Sequence, residues 1–216
     1  MADPVTRRAV VDLRDQRPVW SQPEWAVEEI RAAFPPGWEV AVVGSAADGR
    51  GDGGGPSGET LAAMPGAEVY MGYGISPETF RAAGGALRWV HSGAAGVGGA
   101  LHPEMRASDV VLTNSAGVHA QPIADTVLAM ALHFARGLDF AVRAQAERSW
   151  DKGPFEAADA PLRETDELVV GILGLGGIGR AVARRFAALG ARVLATRRRD
   201  AGAPEGVELL RGPDAL

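Results

Sequence analysis

The segment VVGILGLGGIGRAVARRFAALGARV, Val169–Val193, constrains the fold more than any other part of the chain. Gly174, Gly176 and Gly179 form G-x-G-x-x-G. The apolar run Leu168–Leu173 before it reads as a buried strand, Ile178–Leu189 as a helix and Arg192–Ala195 as a second strand, which is the context a dinucleotide fingerprint requires. Each glycine has a physical task. Gly174 permits the tight turn, Gly176 lets the backbone approach a pyrophosphate, and Gly179 lets the helix pack on the strand. The helix start, with Gly177 and Ile178, offers open N–H groups and a partial positive charge to phosphate.

The end of the second strand selects the cofactor. A carboxylate there would accept hydrogen bonds from the ribose 2′-hydroxyl of NAD. The chain has Ala195-Thr196-Arg197-Arg198-Arg199 instead. Arginine grips phosphate through bidentate, charge-assisted bonds. The expected cofactor is therefore NADP in preference to NAD, held by Arg197 and Arg198 with Thr196 assisting.

Upstream, short β-branched runs alternate with helical stretches. Arg8–Leu13, Trp38–Val43, Ala67–Met71, Leu87–His91 and Val110–Thr113 read as strands. Pro23–Ala33, Thr60–Ala63 and Pro77–Ala83 read as helices, the first with Ser21 as its cap and Trp25, Ile30 and Ala33 as its apolar residues. This alternation predicts a parallel sheet covered on both faces. Asp48–Gly58 reads as a mobile surface loop without chemistry. Ile123–Leu138 is apolar almost all round, the pattern of a buried helix, suited to packing between domains or subunits. Phe140–Trp150 continues as a more polar helix, and Asp151–Asp166 is a connection. The domain junction falls between Asn114 and Gln121.

The balance of 22 basic against 27 acidic residues, net −5, argues against a nucleic-acid partner. No run reaches the length of a membrane span, and the N-terminus lacks the apolar core of a signal peptide. The absence of cysteine removes disulfides, thiolate metal sites and cysteine nucleophiles and fits a cytoplasmic location. Histidines and carboxylates show no ligand spacing, so no metal is expected.

Three segments together resemble the D-isomer-specific 2-hydroxyacid dehydrogenases of the glyoxylate/hydroxypyruvate reductase type. They are LRWVHSGAAGVGGAL (Leu87–Leu101), NSAGVHAQPIADTVLAMALHFAR (Asn114–Arg136) and ELVVGILGLGGIGR (Glu167–Arg180). The resemblance implies an α/β fold: a flavodoxin-like substrate domain over residues 1–118, lacking its C-terminal closing helix, followed by an incomplete Rossmann dinucleotide-binding domain over 119–216. It implies interconversion of a small 2-oxo acid and a D-2-hydroxy acid. The backbone N–H groups of Ala95, Gly96 and Val97 would hold the substrate carboxylate, as successive N–H groups form an anion nest. Gly72 and Tyr73 would face the same cleft, and Ile123–Leu138 would be the contact helix of a homodimer. Gly98 and Asp125 depart from the family, which usually has Asp and Glu there.

His133 reads as a packed or interface histidine and His102 as a solvent-facing one. His91 and His119 flank the implied cleft, but neither matches the family's catalytic histidine. A complete dinucleotide fold takes two βαβαβ halves. From Leu168 to Leu216 there are 49 residues, enough for one βαβ unit of about 30 residues or more and a third short strand at Val207–Leu210. The family's catalytic Arg, Glu and His would lie beyond residue 216, so no catalytic residue is assigned and this chain alone is expected to be inactive. The alternatives are another two-domain NAD(P) oxidoreductase or lyase of the same superfamily, and a non-catalytic dinucleotide-binding interaction protein.

Overall fold

The computed structural model describes residues 6–46, 55–160, 162–198 and 202–211. Its contacts divide the chain into two compact units, Met1–Ala116 and Gly117–Leu216.

In the first unit five strands form one parallel sheet in the order β2-β1-β3-β4-β5, with β1 Arg7–Asp12, β2 Trp38–Val42, β3 Ala67–Gly72, β4 Trp89–Ser92 and β5 Val111–Asn114. This is the flavodoxin-like strand order. Val10, Tyr70, Val90 and Leu112 lie in register across four strands. They face a core with Val43, Met64, Ile75, Leu87 and Met105. The short helices α2 Gly58–Ala63, α3 Pro77–Ala82 and α4 Pro103–Arg106 follow β2, β3 and β4. Each has a side-chain cap: Ser57 accepts from Thr60 N, Ser76 from Thr79 N, and His102 from Met105 N. Such caps satisfy donors that a helix start leaves open.

The last register row of the sheet is Asp12, Gly72, Ser92 and Asn114, so the carboxyl ends of the strands carry these residues and the turns that follow. Asp12 is buried, and its Oδ2 accepts from Thr60 Oγ1 at 2.9 Å and Tyr70 OH at 3.0 Å. Burial raises its pKa against the lowering effect of those two bonds.

Helix α1, Glu24–Ala33, differs from expectation in two ways. No side chain caps it, because Ser21 Oγ instead accepts from Asp15 N at 3.4 Å. Its buried residues are Ala26 and Val27, while Trp25 is 71% exposed. Most of the glycine-rich Asp48–Gly58 stretch lies outside the described residues, and its end is ordered, since Ser57 caps α2 and Gly58 opens it.

The second unit has a three-stranded parallel sheet in the order β6-β7-β8, with β6 Val169–Leu173, β7 Arg192–Thr196 and β8 Val207–Leu210. The order is that of the first half of a dinucleotide fold. Helices α5, Ala120–Ala135, and α8, Gly177–Ala188, pack together in its core. That core holds Ala124, Leu175, Val182, Phe186 and Val193. Arg185 Nε donates to Asp125 Oδ1 at 2.7 Å and ties the two helices.

The apolar helix expected over Ile123–Leu138 stops at Ala135 and does not reach Leu138, and the more polar helix expected over Phe140–Trp150 starts two residues earlier and ends at Ala146. Gly137, at φ +64°, ends α5, and Leu138 opens α6, Leu138–Ala146. A residue after a helix end commonly adopts this left-handed conformation, which glycine tolerates. Nor is α5 buried all round. Ala120 and Ala124 are buried, whereas Met130 and Phe134 are 61% and 66% exposed. An all-apolar sequence signals contact surface without saying which side the same chain covers. The connection after α6 holds a short helix, α7 Gly153–Glu156, and a 3₁₀ turn, Thr165–Glu167.

Candidate dinucleotide-binding site

The glycine motif stands between β6 and α8. Gly174 takes φ +97°, a conformation that favours glycine. The N–H groups of Gly174 and Leu175 both donate to the Thr196 carbonyl, at 3.1 and 3.0 Å, which fastens the turn to the end of β7. Gly176 caps α8 without any side-chain hydrogen bond. A Cβ on Gly176 or Gly177 would meet nothing within 4 Å, whereas one on Gly179 would lie 2.2 Å from the Gly174 carbonyl oxygen. Gly179 is thus fixed by helix–turn packing, and Gly176 by nothing in the protein itself. Gly176, Gly177 and Ile178 are exposed around the open helix start. This cradle fits a phosphate group: bare backbone, unshared N–H donors and the positive end of a 12-residue helix.

Thr196 half-buries its side chain and lends its carbonyl to the turn. Arg197 is half-buried and Arg198 exposed, while Arg199 lies outside the described residues. Arg197 Nη1 donates to the Gly202 carbonyl at 3.3 Å. Arg180, in the first turn of α8, donates its Nη1 to the same oxygen at 2.7 Å. The strand-end reading of the sequence did not include Arg180. Its signal is its place directly after Gly179 and opposite a second arginine, and this depends on a contact 22 residues away.

In the first unit, β4 leads into the Ala95-Gly96-Val97 turn. The Ala95 carbonyl accepts from Asn114 Nδ2 at 2.7 Å, and the Val97 carbonyl accepts from Ala100 N and Leu101 N. The three turn N–H groups meet no acceptor among the described residues. Gly72 must lack a side chain, because a Cβ there would lie 2.5 Å from the Tyr70 hydroxyl. Its carbonyl accepts from Gly93 N at 2.7 Å, so the two turns are bonded to each other. The Tyr73 hydroxyl donates to the Trp20 carbonyl, and its ring lines a pocket of about 420 Å³ with Leu13, Met71, Trp89, His91 and Gly93.

The histidines are engaged elsewhere. Trp89 Nε1 donates to Thr113 Oγ1 at 2.9 Å, and Thr113 Oγ1 lies 2.9 Å from His91 Nδ1. The hydroxyl accepts the indole proton and shares its second hydrogen bond with Nδ1, and Nε2 lies 3.4 Å from Ser115 Oγ. Burial holds the His91 pKa below its ordinary value. His102, expected to face solvent, caps α4 and sets its ring edge-on to Phe80 at 5.3 Å. His133 is half-buried, edge-on to Phe134. His119 directly precedes α5. Among the described residues, no group of three His, Asp or Glu is placed to hold a metal ion, and no helix is long and apolar enough to cross a membrane.

Residues 128–210 match the family model described as D-isomer specific 2-hydroxyacid dehydrogenase, NAD binding domain. Solved structures share the fold of nearly the whole chain. A D-isomer specific 2-hydroxyacid dehydrogenase from Xanthobacter autotrophicus Py2, in complex with NADPH and MES, is 25% identical with a TM-score of 0.65, over 98% of this chain and 59% of that one. The NAD-complexed D-isomer specific 2-hydroxyacid dehydrogenase from Lactobacillus delbrueckii ssp. bulgaricus is 19% identical with a TM-score of 0.68, over 98% of this chain and 60% of that one. A D-lactate dehydrogenase from Treponema pallidum is 21% identical with a TM-score of 0.69, over 95% and 57%. The chain thus spans about three-fifths of the length of the structures it matches. The resemblance carried by the three sequence segments holds.

Proposed function

With the NAD-binding domain of the D-isomer specific 2-hydroxyacid dehydrogenases recognisable over residues 128–210, we propose that the chain serves an NADP-preferring oxidoreductase of that type, which interconverts a small 2-oxo acid and a D-2-hydroxy acid. The observation that carries the reading is the glycine cradle: Gly179 is demanded by packing, while Gly176 leaves open backbone before an uncapped helix. There Gly174, Gly176, Gly177, Ile178 and Gly179 hold the pyrophosphate. When bound, the nicotinamide accepts or supplies a hydride at C4.

The residues of the chain bind and orient. The open N–H groups of Ala95, Gly96 and Val97 hold the substrate carboxylate as an anion nest. Gly72 and Tyr73 shape the wall beside that turn. Residues 1–118 act as the substrate domain and 119–216 as the cofactor domain. The exposed apolar residues of α5 meet a second copy of the chain. A cytoplasmic location without a nucleic-acid or membrane partner accompanies this reading.

NADP preference rests on the end of β7, where Ala195 and Thr196 lead into Arg197 and Arg198 and no carboxylate awaits a ribose hydroxyl. A charge-assisted hydrogen-bonded pair contributes about 1.5–3 kcal/mol, on the order of tenfold to a hundredfold in affinity. The test compares dissociation constants of NADPH and NADH for the parent and for Arg197→Asp. The parent should favour NADPH by that factor, and the variant should lose the advantage. Equal affinities in the parent would overturn the assignment.

A further inference from the structure

We infer that the pocket beside the Ala95-Gly96-Val97 turn takes the side chain of the substrate, and that the substrate is a 2-oxo acid with a branched aliphatic or aromatic side chain. The inference rests on the 2-oxo acid reading above and names the part of the acid that reading leaves open.

The floor of the pocket is one face of the first sheet. Met71 and His91 lie in register on β3 and β4, and Trp89 stands on the same face of β4, since alternate residues of a strand share a face. Tyr70 and Val90 alternate with them and belong to the core on the other side. Leu13, Ile30 and Tyr73 complete the walls around about 420 Å³. The polar atoms of the rings are turned to the protein. Thr113 Oγ1 meets Trp89 Nε1 and His91 Nδ1, each at 2.9 Å, and the Tyr73 hydroxyl donates to the Trp20 carbonyl. These bonds hold the rings in place and leave their carbon surface to a ligand. Among the described residues that line the pocket, none is Asp, Glu, Lys or Arg. A charged side chain would enter unpaired, at a cost an apolar one does not meet.

The pocket adjoins the turn directly. Gly93 lines it and stands two residues before Ala95. A Cβ on Gly93 would lie 3.0 Å from Leu13 and 3.1 Å from the Tyr73 ring, so the wall closes on bare backbone there. Ser115 also lines the pocket, and its N–H donates to the Ala94 carbonyl at 3.2 Å. An acid with its carboxylate at the turn carries its side chain on the adjacent carbonyl carbon, next to this space. Ligand pockets begin at about 300 Å³. The hydrogen of glyoxylate or the methyl of pyruvate leaves such a volume largely empty, whereas an isobutyl or benzyl group buries itself against the rings.

Turn and pocket both lie within the first unit, so NMR titration of the full chain needs no cofactor. The probes are pyruvate, 4-methyl-2-oxopentanoate, phenylpyruvate and 4-methylpentan-2-one, a ketone with the aliphatic side chain and no carboxylate. Each buried methylene contributes about fourfold, so 4-methyl-2-oxopentanoate should bind about tenfold or more tighter than pyruvate. It should shift the Trp89 indole N–H signal together with the amide signals of Ala95, Gly96 and Val97, and pyruvate should shift the amides alone. Met71→Trp fills the pocket and should bring the ratio of the two affinities near one. Should that variant fail to fold, Ile30→Phe narrows the same space from α1 and should lower the ratio in the same direction. Equal affinities of the parent for pyruvate and the longer acids overturn the pocket and leave the 2-oxo acid reading standing. A preference that both variants retain in full puts the side chain elsewhere and overturns the pocket too. A ketone that binds as tightly as its acid removes the carboxylate from the site and overturns the reading on which the inference rests. Acids that move neither set of signals overturn both.

Discussion

Gly176 and Gly179 stand three residues apart in one motif, and different forces demand them. A methyl group on Gly179 would sit 2.2 Å from a backbone oxygen, an atom that cannot swing aside as a side chain can. Gly176 has φ −80° and no neighbour within 4 Å of a built Cβ, so alanine fits the folded protein. Gly179→Ala should lower unfolding free energy by about 1–3 kcal/mol, the usual cost of overpacking. Gly176→Ala should change stability by no more than about 0.5 kcal/mol yet lose most of the cofactor affinity. Denaturant unfolding and NADPH titration on both variants check the pair. Stability loss in Gly176→Ala, or full stability in Gly179→Ala, would contradict this division. The glycines were legible in the sequence because they stand at fixed short spacing between an apolar strand and a helix. The contact of Arg180 with Gly202 was not, because it joins residues 22 positions apart. Tyr73 was read as a wall of the cleft, but the sequence could not show its hydroxyl bonded to Trp20, 53 residues away.

Among the elements, β-branched runs and glycine or proline breaks located the strands to within a residue or two. Parallel strands buried on a core face are nearly continuous apolar runs, and Arg8–Leu13 and Ala67–Met71 have that form. Helix burial was less legible, as α5 demonstrates. Its apolar residues lie on several sides, and only part of them meets α8. Met130, Phe134, Leu138 and Val142 follow one another at four-residue spacing through the break at Gly137, and are 61, 66, 47 and 56% exposed. Exposed apolar residues in such a series mark contact surface, and the proposed contact is a second copy. Phe134→Glu places a charge in that contact without disturbing the buried Ala124 side of α5. The variant should weaken self-association by about tenfold or more while its melting temperature, measured at a concentration where the parent is monomeric, stays the same. Sedimentation equilibrium reads the first effect and calorimetry the second. A monomeric parent at high concentration, or a variant that associates as the parent does, would count against the dimer.

Across the whole molecule, the proposed function gives two parallel sheets different parts of the chemistry. The first ends in turns with open N–H groups, and the second in an uncapped helix start. In the proposed function, anion recognition is supplied at both places by backbone. Proton transfer and carbonyl polarisation need side chains, histidine most often for the proton. His91 shares a hydrogen bond at Nδ1 with Thr113, and burial holds its pKa below the ordinary value. His102 spends Nδ1 on capping α4. His133 belongs to the α5 surface. The resemblance assigns the family's acid–base histidine, its Glu partner and its arginine to no residue of these 216. The chain should therefore bind NADPH and still not reduce a 2-oxo acid. Calorimetric NADPH binding first establishes that the purified, mass-verified chain is folded. Absorbance at the nicotinamide band is then followed with glyoxylate and with hydroxypyruvate, from pH 5 to 8, the range over which histidine titrates. The expected rate is that of buffer at every pH. Turnover by the chain alone would overturn this division of roles, and a bell-shaped pH profile that His91→Gln abolishes would transfer the acid–base role to His91.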